Sequence, residues 1–120
     1  MTAKLTKIEI ITRPDKFDVL KDALSKIGIT GMTVTNVLGC GMQSGYTEVY
    51  RGKKRTINLH EKIKVEIVVC DVPVQAVIDE AKRVLKTGKP GDGKIFVYPI
   101  ENAIKIRTGE EGRDALQNDY

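Results

Sequence analysis

The chain has 120 residues, 41% of them hydrophobic, with 20 Lys or Arg against 16 Asp or Glu and a net charge of +4; one domain spanning 1–120 is expected, closing its core without metal or disulfide staples. No apolar run is long enough to span a bilayer, and Met1-Thr2-Ala3-Lys4-Leu5-Thr6-Lys7 interleaves charges with single apolar residues, so the expected location is the cytoplasm. Aromatic residues are only 5% and no dense basic stripe occurs, which argues against direct nucleic-acid binding, while Cys40 and Cys70 stand far apart with only His60 nearby in type, which suggests neither a zinc site nor a disulfide framework.

In chain order, Lys7-Ile8-Glu9-Ile10-Ile11 alternates polar and apolar residues over β-branched stock and predicts a half-buried strand ending before Arg13-Pro14. A helix follows, with Asp15 as its expected cap, Phe17, Leu20, Leu24 and Ile27 at helical spacing, and Gly28 as its stop. Met32–Leu38 reads as a second strand closed by Gly39-Cys40-Gly41. From Met42 to about His60 the apolar period vanishes, and a connection of that length in a compact domain calls for a functional explanation. Ile63–Cys70 alternates again as strand three, with Ile63, Val65, Ile67 and Val69 on one face. Pro73 opens a second helix with the stripe Val74, Val77, Ile78, Ala81, Val84 and Leu85, ended by Gly88. After the turn Lys89–Lys94 comes strand four, Ile95–Tyr98, running into Pro99, then a short extra strand Ile104–Arg107 and a polar, loosely held tail from Thr108 to Tyr120. The echo of Lys7-Ile8-Glu9-Ile10 in Lys64-Val65-Glu66-Ile67 marks a doubled βαβ unit. The fold expected is therefore α+β, a ferredoxin-like βαββαβ sandwich with a long loop between strands two and three. Its open face, with Lys7, Glu9, Ile11, Glu66 and Val68, is a candidate subunit contact.

Four constellations could carry chemistry. Gly88-Lys89-Pro90-Gly91-Asp92-Gly93-Lys94 fits G-x-x-x-x-G-K, but Ile95 stands where a P-loop needs Ser or Thr, and the order is helix, loop, strand. Three glycines and two lysines still let backbone N–H groups approach an anion, against the alternative of a plain helix-to-strand turn. Gly39-Cys40-Gly41-Met42-Gln43 is a second glycine-spaced turn, weak by itself. Lys105 and Arg107 alternate on the extra strand and so point the same way. Arg51-Gly52-Lys53-Lys54-Arg55 forms a basic loop tip, which is either solvated or a partner site. No nucleophile sits in a triad pattern with His60, so no enzyme is expected.

Taken together these pieces resemble the PII nitrogen-regulatory signal proteins, from about Lys7 to Glu111. The resemblance rests on Gly28–Val34 (Gly-Ile-Thr-Gly-Met-Thr-Val), Thr47-Glu48-Val49-Tyr50-Arg51-Gly52, Thr87–Val97 (Thr-Gly-Lys-Pro-Gly-Asp-Gly-Lys-Ile-Phe-Val) and Ile106-Arg107-Thr108-Gly109-Glu110-Glu111. Cys40 and Arg83-Val84-Leu85-Lys86 look most like the branch paired with ammonium transporters in low-GC Gram-positive bacteria. The resemblance implies a homotrimer binding ATP or ADP in each cleft between neighbouring subunits. By position, Gly91, Asp92, Gly93 and Lys94 would wrap the phosphates, with Gly39, Gly41, Met42 and Gln43 at the loop base and Ile11 alongside. Glu66 and Val68 would lie near adenine, and the adjacent subunit would lend Gly31, Met32, Thr33, Lys105 and Arg107. Gln43, through magnesium, and Lys62 match positions that hold 2-oxoglutarate. Residues 42–60 would be the family's T-loop and 86–94 its B-loop, with Tyr50, Arg51 and Gly52 meeting the ammonium transporter and Arg51 entering its cytoplasmic mouth, so that the protein sits peripherally at the membrane. A nitrogen transcription regulator is a further candidate partner. The chain also departs from the family pattern. Arg55 stands where some members carry a uridylylated tyrosine and Lys53 where others carry a phosphorylated serine, so neither modification is expected. Met42 replaces a phosphate-pairing arginine, and Lys105 replaces another, losing the bidentate fork but keeping the charge.

Two rivals share the topology. An RNA-binding module would stack bases on sheet aromatics, but strand three has none, and Phe96 and Tyr98 on strand four are expected on opposite faces. An acylphosphatase-like hydrolase would need an arginine cradle and a water-orienting asparagine, for which Asn36, Asn58 and Asn102 have no convincing arrangement.

Overall fold

The structure, a computed structural model, describes residues 4–41 and 58–117. Strand β1 (Leu5–Thr12) leads through a 3₁₀ turn, Pro14–Lys16, into helix α1 (Phe17–Lys26). Strands β2 (Thr33–Gly41) and β3 (Asn58–Val69), helix α2 (Val74–Leu85), strand β4 (Lys94–Ile100) and a 3₁₀ helix, Gly112–Leu116, follow. The sheet order is β2-β3-β1-β4 with every neighbouring pair antiparallel, which is the expected ferredoxin-like arrangement.

The period-2 pattern of β1 and β3 and the helical stripes of α1 and α2 meet in one core. Ile8 and Ile10 pair with Ile67 and Val65, and on this face both helices bury Leu20, Leu24, Val77, Ala81 and Leu85. Burying an aliphatic side chain of this size contributes about 1.5–3 kcal/mol, so these positions dominate stability. The echoed tetrads lie side by side in the sheet centre, with Glu9 directly opposite Glu66. That like-charge pairing is relieved by Lys7, whose Nζ donates to Glu66 at 3.1 Å, and by the Tyr98 hydroxyl, which donates to Glu9 at 3.4 Å.

Helix α1 stops as expected. The Ile29 N–H reaches back to the Leu24 carbonyl at 3.0 Å and the Gly28 N–H to Ser25 at 3.1 Å, a Schellman closure that puts Gly28 at φ +100°. Other boundaries differ from the sequence reading. Asp15 caps nothing; Lys16 occupies the N-cap position of α1 and no side chain bonds there. The β2–β3 ladder runs on to Gly41 opposite Asn58, so Gly39-Cys40-Gly41 is strand and residues 58–60 belong to β3 and not to the loop. Helix α2 ends at Leu85, because Lys86 is already extended and the N–H groups of Thr87 and Gly88 turn to a side-chain carboxylate. Strand β4 continues through Pro99, which is tolerated because β4 pairs on one side only.

Ile104–Arg107 is not a strand. Ile104 makes a single bridge to Glu111, and Lys105 closes a turn by donating to the Glu110 carbonyl at 2.8 Å and accepting from the Gly109 N–H at 2.7 Å. The alternation within 104–107 is real, but among the described residues no strand pairs with it beyond the single Ile104–Glu111 bridge. Part of the tail takes regular structure that its polarity does not suggest: residues 112–116 form the second 3₁₀ helix, and Arg113 Nε meets Asp71 at 2.9 Å. Phe96 and Tyr98 pair with Glu9 and Lys7 and so share the open face, because residues two apart on a strand point the same way.

Candidate functional site

The loop joining α2 to β4 is built around one side chain. Asp92 Oδ1 accepts hydrogen bonds from the Thr87 hydroxyl and from Arg13 Nη1, and Oδ2 accepts from the Thr87 N–H at 2.8 Å and the Gly88 N–H at 2.9 Å. Its main-chain carbonyl accepts from the Thr12 hydroxyl at 2.8 Å. The Thr87 hydroxyl bond, then Arg13 and the two N–H groups, hold this carboxyl well below the usual carboxylate range. Two more cationic contacts tie the loop: Arg13 Nη2 donates to the Pro90 carbonyl at 2.9 Å and Lys62 Nζ to the Gly91 carbonyl at 2.6 Å.

The glycines follow from this packing. Gly93 has φ +111°, and a Cβ there would stand 1.8 Å from the Ile11 carbonyl oxygen, so the loop lies directly on the end of β1. Around Gly91 the Arg13 and Lys62 side chains approach so closely that a Cβ would stand 2.9 Å from Arg13 Nη2. The result is a bend with exposed Lys94 at its end and an inward-turned carboxylate at its centre.

The candidate residues fall into two groups. Gly91, Asp92, Gly93 and Lys94 are gathered with Ile11, which pairs with Lys94, and with Lys62; Gly39 stacks on the Lys62 stem, where its Cβ would lie 3.4 Å from Cγ. Gly31, Thr33, Glu66, Val68, Lys105 and Arg107 line a separate cleft of about 850 Å³ between the far end of β3 and the C-terminal turn. Met32 packs against the core beside it. In the single chain Glu66 and Val68, expected near adenine, thus line the same cleft as the residues expected from the adjacent subunit. Along the sheet, Val68 pairs with Lys7 while Lys64 pairs with Ile11, a separation of four residues and roughly 13 Å.

In the cleft Lys105 is ordered by Glu110 at 3.6 Å, and Glu110 is itself held below its ordinary pKa, first by the Thr108 hydroxyl and then by Lys105. Lys105 and Arg107 do not share a strand face, since a turn begins at Ile106. Gly41 ends β2, whereas Met42, Gln43, Tyr50, Arg51 and Gly52 lie outside the described residues. The residues that sequence reasoning missed are Arg13, Thr87 and Thr12. Arg13 was legible only as the residue before a proline, and Thr87 only as the start of the glycine string. Among the described residues no cluster of three His, Cys, Asp or Glu is placed to hold a metal ion, and no helix is long and apolar enough to cross a membrane.

Residues 5–110 match the family model described as Nitrogen regulatory protein P-II. The chain is 59% identical over 116 residues to a nitrogen regulatory PII-like protein of Bacillus subtilis, covering 97% of this chain and 100% of that one. It is 51% identical over 112 residues to a nitrogen regulatory protein P-II of Pasteurella multocida, covering 93% and 100%. A solved structure of the Bacillus subtilis GlnK–ATP complex superposes with a TM-score of 0.84 at 54% identity, covering 97% of this chain and 99% of that one. Arabidopsis thaliana PII bound to citrate superposes with a TM-score of 0.78 at 36% identity, covering 98% and 94%. A match over nearly the whole chain in sequence and in fold identifies the lineage: the chain belongs to the nitrogen regulatory protein P-II family, whose members are regulators and not enzymes.

Proposed function

We propose that this chain is a nitrogen and energy signal protein that assembles as a trimer, binds ATP or ADP at the seams between subunits, and controls an ammonium transporter through the loop between β2 and β3. The observation that carries the reading is the preformed glycine bend, Gly88–Gly93, with Lys94 at its end: an anionic phosphate gains most where a backbone can approach it closely and a cation stands beside it. The similarity to a protein solved as an ATP complex supports the same assignment. The trimer is supported by the two-way split of candidate residues. A nucleotide whose phosphates lie on the bend of one copy, with Glu66 and Val68 near its adenine, would take further contacts from Gly31, Met32, Thr33, Lys105 and Arg107 of the next, the two cations adding to the charge that meets the phosphates. The open sheet face, where Phe96 and Tyr98 are exposed, would be covered in the same step.

Lys62 is placed for a carboxylate effector such as 2-oxoglutarate, since an ammonium that already donates to Gly91 keeps two further protons to offer. Magnesium would arrive with the phosphates and Gln43. Different contacts of ATP, ADP and 2-oxoglutarate at the loop base would select different loop conformations, and one of them, through Arg51, would engage the transporter from the cytoplasmic side. A nitrogen transcription regulator would be a second reader of the same loop. Calorimetry with ATP and ADP, with and without magnesium and 2-oxoglutarate, together with light scattering for the oligomer, tests this. Saturable nucleotide binding to a trimer is expected, and no heat from either nucleotide at millimolar concentration defeats the proposal.

A further inference from the structure

We propose that Thr87 and Arg13 are positioning residues for nucleotide binding: by clamping the Asp92 carboxylate from two sides they fix the backbone of the glycine bend, and so set its affinity for phosphate without touching the ligand. The inference deepens the nucleotide-site reading given above and rests on it.

The family resemblance implies a place for Asp92 among the phosphate-wrapping residues, yet a free carboxylate beside a polyphosphate would repel it. The geometry resolves this. Both carboxylate oxygens are engaged from within the protein, by the Thr87 hydroxyl, Arg13 Nη1 and the N–H groups of Thr87 and Gly88, so the charge is spent on the loop itself. Thr87 acts twice more: its hydroxyl oxygen accepts the Lys89 N–H at 3.2 Å, and its position joins the end of α2 to the bend. Arg13 reaches the bend from β1 and adds the bond to Pro90. A segment with glycines at positive φ at positions 88, 91 and 93 has many open conformations when untied. Tied at both ends it meets an anion already shaped, and the cost of ordering it on binding disappears.

The test compares wild type with Thr87→Val and Thr87→Ser by calorimetry with ATP, from pH 7.5 to pH 4, each point run in parallel so that titration of ATP itself cancels. Thr87→Val is expected to weaken binding about tenfold or more, the effect of losing one hydrogen bond to a charged group, while Thr87→Ser stays within about twofold. The ratio should also widen below about pH 5. In wild type Asp92 is ionised throughout this range, because its pKa lies below the ordinary value; with the hydroxyl gone the pKa rises toward that value and protonation loosens the bend as pH falls. Equal affinity of Thr87→Val and wild type at every pH overturns the proposal. The clamp is read independently in the ligand-free protein from the carboxyl-carbon NMR titration of Asp92. A wild-type midpoint near the ordinary value of about 3.9 overturns it even if ATP binds. A depressed midpoint with no ATP binding removes the nucleotide reading and the positioning role with it, leaving the clamp as a structural feature.

Discussion

Gly93→Ala is the sharpest perturbation the structure offers. An added Cβ would lie 1.8 Å from the Ile11 carbonyl oxygen, 2.8 Å from its carbon and 3.0 Å from the Thr12 Cα, all backbone atoms of β1 that cannot rotate away. The bend would have to retreat by more than an ångström, breaking the Thr12–Asp92 and Arg13–Asp92 contacts that rest on the same approach. Holding an alanine at φ +111° adds backbone strain of order 1–3 kcal/mol. Strain and lost contacts together predict a destabilisation of about 3 kcal/mol, which for a domain of this size lowers the melting temperature by roughly 10 °C. Differential scanning calorimetry measures it at fixed protein concentration, since assembly makes the transition concentration-dependent. Gly41→Ala serves as the control, because its Cβ would meet nothing within 4 Å and its φ is ordinary; it should shift the transition by no more than a degree or two. If Gly93→Ala melts within 2 °C of wild type while binding ATP normally, the close packing of the bend on β1 is wrong.

The other expectations follow from the same geometry. Leu24→Ala empties a wholly buried position between the helices and the sheet and should cost about 2–5 kcal/mol in urea unfolding; a loss below 1 kcal/mol would mean that the core collapses freely around it. Lys94→Ala should weaken ATP binding about tenfold without altering the oligomer, because the side chain is exposed at the end of the bend; unchanged affinity would remove Lys94 from the phosphate site. Arg113→Ala releases the 112–116 turn from Asp71 and should speed amide exchange there by less than tenfold with no change in melting temperature, as expected for an exposed pair; a large drop in melting temperature would show that the tail supports the core. Arg51→Glu should abolish transporter capture in a pull-down while ATP affinity is retained, and continued capture would exclude the proposed contact.

Periodicity, turn residues and the repeated tetrad were enough to place both helices, all four strands and the sandwich topology, because each of these is a local pattern that survives in one dimension. The core stripe Val77, Ala81 and Leu85 and the strand residues Ile63, Val65 and Ile67 could be read this way because burial follows the 3.6 and 2.0 residue periods. The resemblance also led to the expectation that the glycine bend and the C-terminal residues serve one nucleotide site, whereas in the single chain they lie in two groups. What stayed hidden were the particular side-chain contacts between residues distant in sequence. That Arg13 and Thr87 share one carboxylate, that Lys62 lies on Gly91, and that Ile11 leaves no room at Gly93 are consequences of β1, β3 and the bend meeting in space. The apparent strand at 104–107 shows the converse: its alternation is strand-like, but a strand needs a partner, and whether one exists is settled by the surroundings and not by the segment. Local sequence determined which elements form, whereas the inward turn of Asp92, which a composition of glycine, lysine and aspartate cannot reveal, was decided by the donors that tertiary packing brought to it.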